Sequence, residues 1–397
     1  MSWINAIAIV FPTAISMRLL ICSLISPMDS RDMSAVDFVS VVLKNPACVR
    51  ELTLSQWDLL IRQARSADLL GRIAEQLNDA RLLAEVPPAP RMHLDSVRIL
   101  LAAQSRAVRR EVASIADALS ALDTDVILLK GAAYLLAGLP AAKGRLFTDV
   151  DILLPHDRLP EAESELMLHG WVMTHRHPYD QRYYREWMHE LPPMQHIERQ
   201  TVIDVHHAIV PITARLKSDD AAIIATAVPV EGQTGLRVLA PTDMVLHSAT
   251  HLFYNEEFSH GMRDLSDMDL LLRHFGQAPQ FWPALVGRAS QLDLSRPLYY
   301  CLRHVVRVFD TPVPEPVMQD VMPSRPSRWT ENLMDKLWGV ALRPPHPSLS
   351  RPFDSLAGSL LYFRAHWAKM PLPLLAYHIL HKAFRGKPKE MGDSPTV

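Results

Sequence analysis

Residues 126–154 open with Val126-Ile127-Leu128-Leu129-Lys130-Gly131 and close with Arg145-Leu146-Phe147-Thr148-Asp149-Val150-Asp151-Ile152-Leu153-Leu154. An apolar run ends at Lys130-Gly131, a short apolar helix and a glycine-bearing loop follow, and a second run begins at Thr148. Apolar runs of about four to eight residues bounded by turn residues read as buried strands. On a strand, positions i and i+2 share a face. Asp149 and Asp151 are therefore expected side by side, with Val150 and Ile152 directed into the core. Adjacent carboxylates repel each other and resist burial as anions. A shared divalent cation relieves both penalties, so Mg²⁺ is expected here.

A third carboxylate comes from a second strand-like run, Thr201-Val202-Ile203-Asp204-Val205-His206-His207. Two carboxylates on one strand and one on a neighbour form a seat for two Mg²⁺ ions and a nucleoside triphosphate. With Lys130-Gly131, then Arg145-Leu146-Phe147-Thr148-Asp149-Val150-Asp151, then Asp204-Val205-His206, the chain resembles an uncharacterised bacterial nucleotidyltransferase family with a DNA-polymerase-beta-like core. The resemblance spans roughly residues 35–275, with its motifs confined to 130–207. It implies an α+β fold, a mixed-sheet core flanked by N- and C-terminal helical regions. It also implies transfer of a nucleoside monophosphate from a triphosphate to a hydroxyl-bearing acceptor (sugar, carrier or protein), with a link to exopolysaccharide production. Asp149, Asp151 and Asp204 would be the catalytic metal ligands for two Mg²⁺, with Mn²⁺ as the substitute ion. Lys130, Gly131, Arg145 and Thr148 would meet the phosphates, and Arg263 and Asp267 would border the nucleotide pocket.

The chain departs from the wider superfamily at Gly131-Ala132, where Gly-Ser or Gly-Gly is usual, and a phosphate-holding hydroxyl is missing. Lys130 and Arg145 are the cations expected to take over that contact.

Composition narrows the remaining choices. The 397 residues suffice for two or three structural units. With 41 Lys+Arg against 43 Asp+Glu, the formal charge of −2 gives no reason to expect a nucleic-acid partner. Three scattered cysteines define neither a disulfide framework nor a zinc motif, which points to a reducing, cytoplasmic setting. Residues 1–27 are apolar, with Arg18 as the sole charge and Pro12 inside. They fit neither a secretory signal nor a membrane span, and an over-extended start codon is the favoured reading, an interfacial anchor the next.

The expected organisation is an N-terminal helical region at 28–122, a nucleotidyltransferase core at 123–240, a C-terminal helical region at 241–386 and a disordered tail at 387–397. Ser55 is the expected N-cap of the Trp57 helix. Arg106, Arg109, Arg110 and Glu111 read as the solvated face of a long helix. The stretch from Tyr179 to Trp187, aromatic and charged at once, suits either a substrate lid or rings packed on the core. Thr242 or Asp243 is the expected cap of a helix carrying His247 and His251, a pair with little to mark it as a metal site. Arg263 and Asp267, four residues apart, read as a surface pair on their own helix or as part of the pocket. Two rival functions stay open: a catalytically silent nucleotide-binding protein, and a metallohydrolase using His196, His206 or His207 with Asp204.

Overall fold

The computed structural model describes residues 36–175, 177–255 and 258–385, so the apolar extension 1–27 and the tail 387–397 lie outside it. The fold is mixed α+β. Seven strands run in chain order: β1 (Val126–Leu128), β2 (Val150–Leu153), β3 (Trp171–Met173), β4 (Met194–His196), β5 (Val202–His206), β6 (Val228–Pro229) and β7 (Leu236–Val238). They form one sheet in the order β3-β4-β5-β2-β1-β7-β6. Pairing is parallel for β2–β5 and β1–β7 and antiparallel for the other four neighbours. Strands β1 and β2 are central and buried along their whole length; β1 is wholly apolar, while β2 is apolar except for Asp151.

The N-terminal helices, the sheet and most C-terminal helices share one continuous hydrophobic core, from Phe38 to Leu361. Among the described residues no helix is long and apolar enough to cross a membrane.

Several local expectations need correction. The Leu54–Ser66 helix is capped by Thr53, whose hydroxyl accepts from the Gln56 N–H while Gln56 accepts from the Thr53 N–H. This reciprocal box satisfies two otherwise orphaned donors, and Ser55 falls inside the helix. The Pro241–Tyr254 helix starts with Pro241 behind Ala240 and has no side-chain cap. Asp243 serves elsewhere, accepting from Arg288 Nε at 2.7 Å and from the Thr226 hydroxyl at 2.8 Å. On the Pro88–Ala118 helix Glu111 is buried rather than solvated. It accepts two hydrogen bonds from Arg199, at 2.8 and 3.0 Å, and so ties the long helix to the β4–β5 turn.

One contact fixes the loop before β2. Gly144 sits at φ +69°, and a Cβ there would lie 2.4 Å from the Arg72 Cα. The loop thus touches the Leu70–Asp79 helix backbone to backbone, which brings Arg72 and Arg145 to the same buried place. Gly144→Ala is expected to destabilise the protein by at least ~1–3 kcal/mol, through overpacking plus left-handed strain. Urea unfolding of the variant checks this, and an unchanged midpoint would refute it.

Candidate active site

Strands β2 and β5 carry the carboxylates. Asp151 and Asp204 are register partners across this parallel pair, so their side chains share one face of the sheet. Asp149 lies one residue before β2 begins. All three line a cavity of about 690 Å³, within the ~300–1,000 Å³ of small-molecule sites. Lys130, Arg145, Thr148 and Arg263 line it as well.

The cluster is held together by opposing charges. Lys130 Nζ donates to Asp151 Oδ1 at 2.9 Å, and His206 Nε2 reaches the same oxygen at 3.0 Å. Burial alone would raise the Asp151 pKa, but the Lys130 charge and the His206 contact outweigh it and hold Asp151 well below the usual range. Lys130 is shifted up despite burial, because Asp151, Asp149 and Asp204 surround it. Its backbone is left-handed, at φ +43°, a strained conformation for a residue with a Cβ and one that recurs at functional sites. The strain sits where β1 turns abruptly into the Lys130–Leu136 helix, directing Nζ across to β2.

Asp204 is the outlying member. Its Oδ1 is sealed from solvent and has no hydrogen-bond partner among the described residues. Burial first, then the charges of Asp151 and Glu190, push its pKa up to about 7. Asp149 is also raised, by burial and by Asp151. A buried carboxylate oxygen with nothing to accept from costs free energy, and a cation is the group that would relieve it. The oxygen-rich donor set of Asp149, Asp151 and Asp204 suits a hard divalent ion.

Gly131, expected at the phosphates, and Asp267, expected at the pocket border, are not among the cavity-lining residues. Gly131 makes room for Arg145: a Cβ on it would stand 2.4 Å from Arg145 Nη1 and 3.0 Å from the Phe147 ring. Asp267 lies behind Arg145 and accepts from its Nε at 2.8 Å, while Arg72 Nη2 approaches the other oxygen at 2.7 Å. The Arg145 head is thus largely committed to a buried ion pair, although its edge reaches the cavity. Arg263 is not the surface partner of Asp267. It pairs with Asp264 at 3.0 Å, and both Arg263 and Asp267 are buried.

The histidines also sort themselves. His196 is bonded to Arg199 at 2.7 Å and packs edge-on against Trp171. His207 packs against His156. Neither lines the cavity, so of the three histidines named for a hydrolase only His206 stands there with Asp204. His247 and His251 lie together on one helix, and burial drives the pKa of both far down. Among the described residues they are not part of any group of three metal-ligating side chains.

Several cavity residues lie outside the expected catalytic and phosphate-binding set. Tyr179 and Tyr183 come from two short helical turns, Pro178–Arg182 and the π-helical Tyr183–Trp187. The segment packs instead of hanging free. The Tyr179 hydroxyl meets His378 Nδ1 at 2.8 Å, and Trp187 and Met188 join Met370 and Leu375 in a small second core. Lys369 and His378 reach the cavity from the last two helices, Asp354–Lys369 and Leu372–Arg385. His189 and Glu190 line it too.

No curated protein and no solved structure matches the chain. A family model described as uncharacterised nucleotidyltransferase matches residues 53–310. The matched span runs from the capped Trp57 helix, through all seven strands, to the helix that ends at Phe309, so it contains every carboxylate of the cluster and the Arg145–Asp267 pair beneath it. On that match, which covers well over half of its length, the chain belongs to the uncharacterised nucleotidyltransferase family.

Proposed function

We propose that the protein moves a nucleoside monophosphate from a nucleoside triphosphate to a hydroxyl on a sugar, carrier or protein, using a polymerase-beta-like core. The observation that carries this reading is the in-register pairing of Asp151 with Asp204, next to Asp149, on one cavity wall. Asp149, Asp151 and Asp204 would hold Mg²⁺, with Mn²⁺ as a substitute. Bound there, the ion would supply charge neutralisation at the phosphates and a lowered pKa for the acceptor hydroxyl. A link to exopolysaccharide production rests on family resemblance alone.

The chain's own groups do the rest. Lys130 is the counter-ion of Asp151, and an ammonium has three donors, so two stay available to a phosphate oxygen. Asp204, whose charge is disfavoured by burial and by the nearby Asp151 and Glu190, would gain the counter-charge it lacks when the ion is bound. Arg145, gripped by Asp267, presents a fixed positive edge and loses little freedom when a phosphate arrives. Thr148, whose hydroxyl donates to Asp149 at 2.9 Å, holds that carboxylate at the cavity mouth.

Lys130→Ala is expected to weaken triphosphate binding by roughly ten- to a hundredfold, the worth of a ~1.5–3 kcal/mol charge-assisted contact. Monophosphate binding should change far less. Calorimetric titration with Mg²⁺ and each nucleotide checks this, and equal losses for both ligands would remove Lys130 from the phosphate site. Incubation with labelled triphosphates tests the function itself. Label transfer to an acceptor, or pyrophosphate release, supports the transferase; tight binding without either leaves a silent nucleotide-binding protein.

A further inference from the structure

The cavity lining carries a group that the nucleotidyl-transfer reading does not use. Residues 189–191 lie antiparallel beside β5. The Leu191 N–H donates to the Val205 carbonyl at 2.8 Å, and the His207 N–H donates to the His189 carbonyl at 2.9 Å. Glu190 is thereby bridged to His206, and directly opposed residues of an antiparallel pair present their side chains on one face. One ligand atom from each of His189, Glu190 and His206 lies within 4.8 Å of the other two.

Their hydrogen bonding is incomplete in the way a ligand site requires. His206 is buried, 4% exposed. Its Nε2 is engaged by Asp151 at 3.0 Å, while its Nδ1 stands 3.4 Å from Glu190 Oε2. Neither His206 Nδ1 nor His189 Nδ1 makes a hydrogen bond with any described residue. Buried polar nitrogens are rarely left without a partner.

We propose that His189, Glu190 and His206 form a second metal site that takes a divalent transition ion of the zinc class. Two imidazoles with one carboxylate are donors that zinc accepts readily and that magnesium, an oxygen-seeking ion, does not. Three protein ligands would leave a fourth position open, as in zinc sites that act on a substrate, and all three residues line the cavity. Tetrahedral bonds of about 2.0–2.1 Å place ligand atoms about 3.4 Å apart, so a pair at the 4.8 Å limit has to close by about 1.4 Å. Glu190 and His189 are only half-buried and have room to do so. Asp151 completes the arrangement, because a carboxylate on the far nitrogen of a ligating histidine fixes its tautomer and orientation. Asp151 is thus a positioning residue for this ion, whatever it does for a nucleotide. The ligand for the open position is an oxygen donor within the cavity, a water or a phosphate oxygen.

The test uses the full chain, stripped with a chelator and then titrated with Zn²⁺ against a chromogenic chelator, with Co²⁺ as a spectroscopic substitute. One tight equivalent of Zn²⁺ is expected, with a visible Co²⁺ absorption band that excess Mg²⁺ does not remove. Loss of an outer partner such as Asp151 costs roughly 10–100-fold in metal affinity. Asp151→Asn should therefore fall in that range, while His189→Ala and Glu190→Gln should each lose more. Should His189→Ala unfold, as judged by circular dichroism, the partly exposed Glu190→Gln carries the same test. Unchanged zinc affinity in the folded variants, no bound equivalent in the wild type, or full displacement by Mg²⁺ would each overturn the proposal. None of these readouts involves a nucleotide, so failure here leaves the transferase reading intact, and failure of that reading leaves this site standing.

Discussion

Asp267→Asn is expected to cost ~3–5 kcal/mol of stability, the range for breaking a buried ion pair from one side. Asp267 is 2% exposed, and Arg145 and Arg72 lie against its two oxygens at 2.8 and 2.7 Å. Burial works against its ionisation, but Arg145 and then Arg72 outweigh burial and hold its pKa below the usual value. An asparagine keeps the shape and removes the charge, so two guanidinium groups stay buried with no anion between them. Partial relief is available to Arg72, which also donates to the Ser266 hydroxyl and the Ala141 carbonyl. Arg145 has less recourse, and its head is expected to swing toward the cavity. Urea denaturation at neutral pH measures the loss. The sign can be followed with pH as well. A depressed carboxylate contributes stability that is present above its unfolded pKa of about 3.9 and disappears as pH falls through the lower folded value. The wild type and Asp267→Asn should therefore converge in strong acid. A loss below ~1 kcal/mol at neutral pH would mean that the triad is solvated and only appears closed.

That ion pair also shows where sequence reading stops. On a helix, Arg263 and Asp267 are four residues apart, and the spacing invites an intrahelical pair. The carboxylate instead chooses Arg145, 122 positions away, because both are buried and only a charged partner makes that burial tolerable. Local periodicity contains no information about such a choice. The strands were legible for the converse reason. β1, β2 and β5 are β-branched and apolar with turn residues at their ends, and the alternation of Asp149, Val150 and Asp151 directly encodes a face. The Asp-x-His strand likewise placed Asp204 and His206 two residues apart, hence on one side of the sheet. What faces that side from other segments was not legible. Glu190 arrives through a single bridge to His206, and Lys369 through a helix near the far end of the chain. The sequence did mark Gly131, and the structure shows a packing reason for it: Arg145 fills the space a Cβ would take. Gly131 and Asp267 are linked through Arg145, which packs on the first and is anchored to the second.

The largest functional effect is expected from Asp204→Asn, which should abolish Mg²⁺-dependent transfer while stabilising the metal-free protein. Removing a metal ligand forfeits several kcal/mol of transition-state stabilisation, a rate loss on the order of 10³-fold at ~1.36 kcal/mol per decade. Stability moves the other way because the Asp204 pKa is displaced from its usual 3.8 to about 7 by burial and by Asp151 and Glu190. A folded-state pKa above the unfolded one means that the native protein binds the proton more tightly. The associated stability is present below about pH 3.8 and is lost as pH rises through about 7. The full displacement corresponds to at most ~4 kcal/mol, and less in practice, since Asp204 borders an open cavity and water screens it. Without metal, the wild type should therefore lose stability relative to Asp204→Asn between pH 4 and 8, and the two should agree at the acid end. Added Mg²⁺ should reverse the order at neutral pH, because an ion that binds only the native state of the wild type stabilises it by mass action. Thermal melts of both proteins at several pH values, with and without Mg²⁺, measure all of this. A destabilised Asp204→Asn at neutral pH in chelator would show that the carboxylate is an ordinary structural acceptor. Its unpartnered oxygen would then have to be explained without a cation.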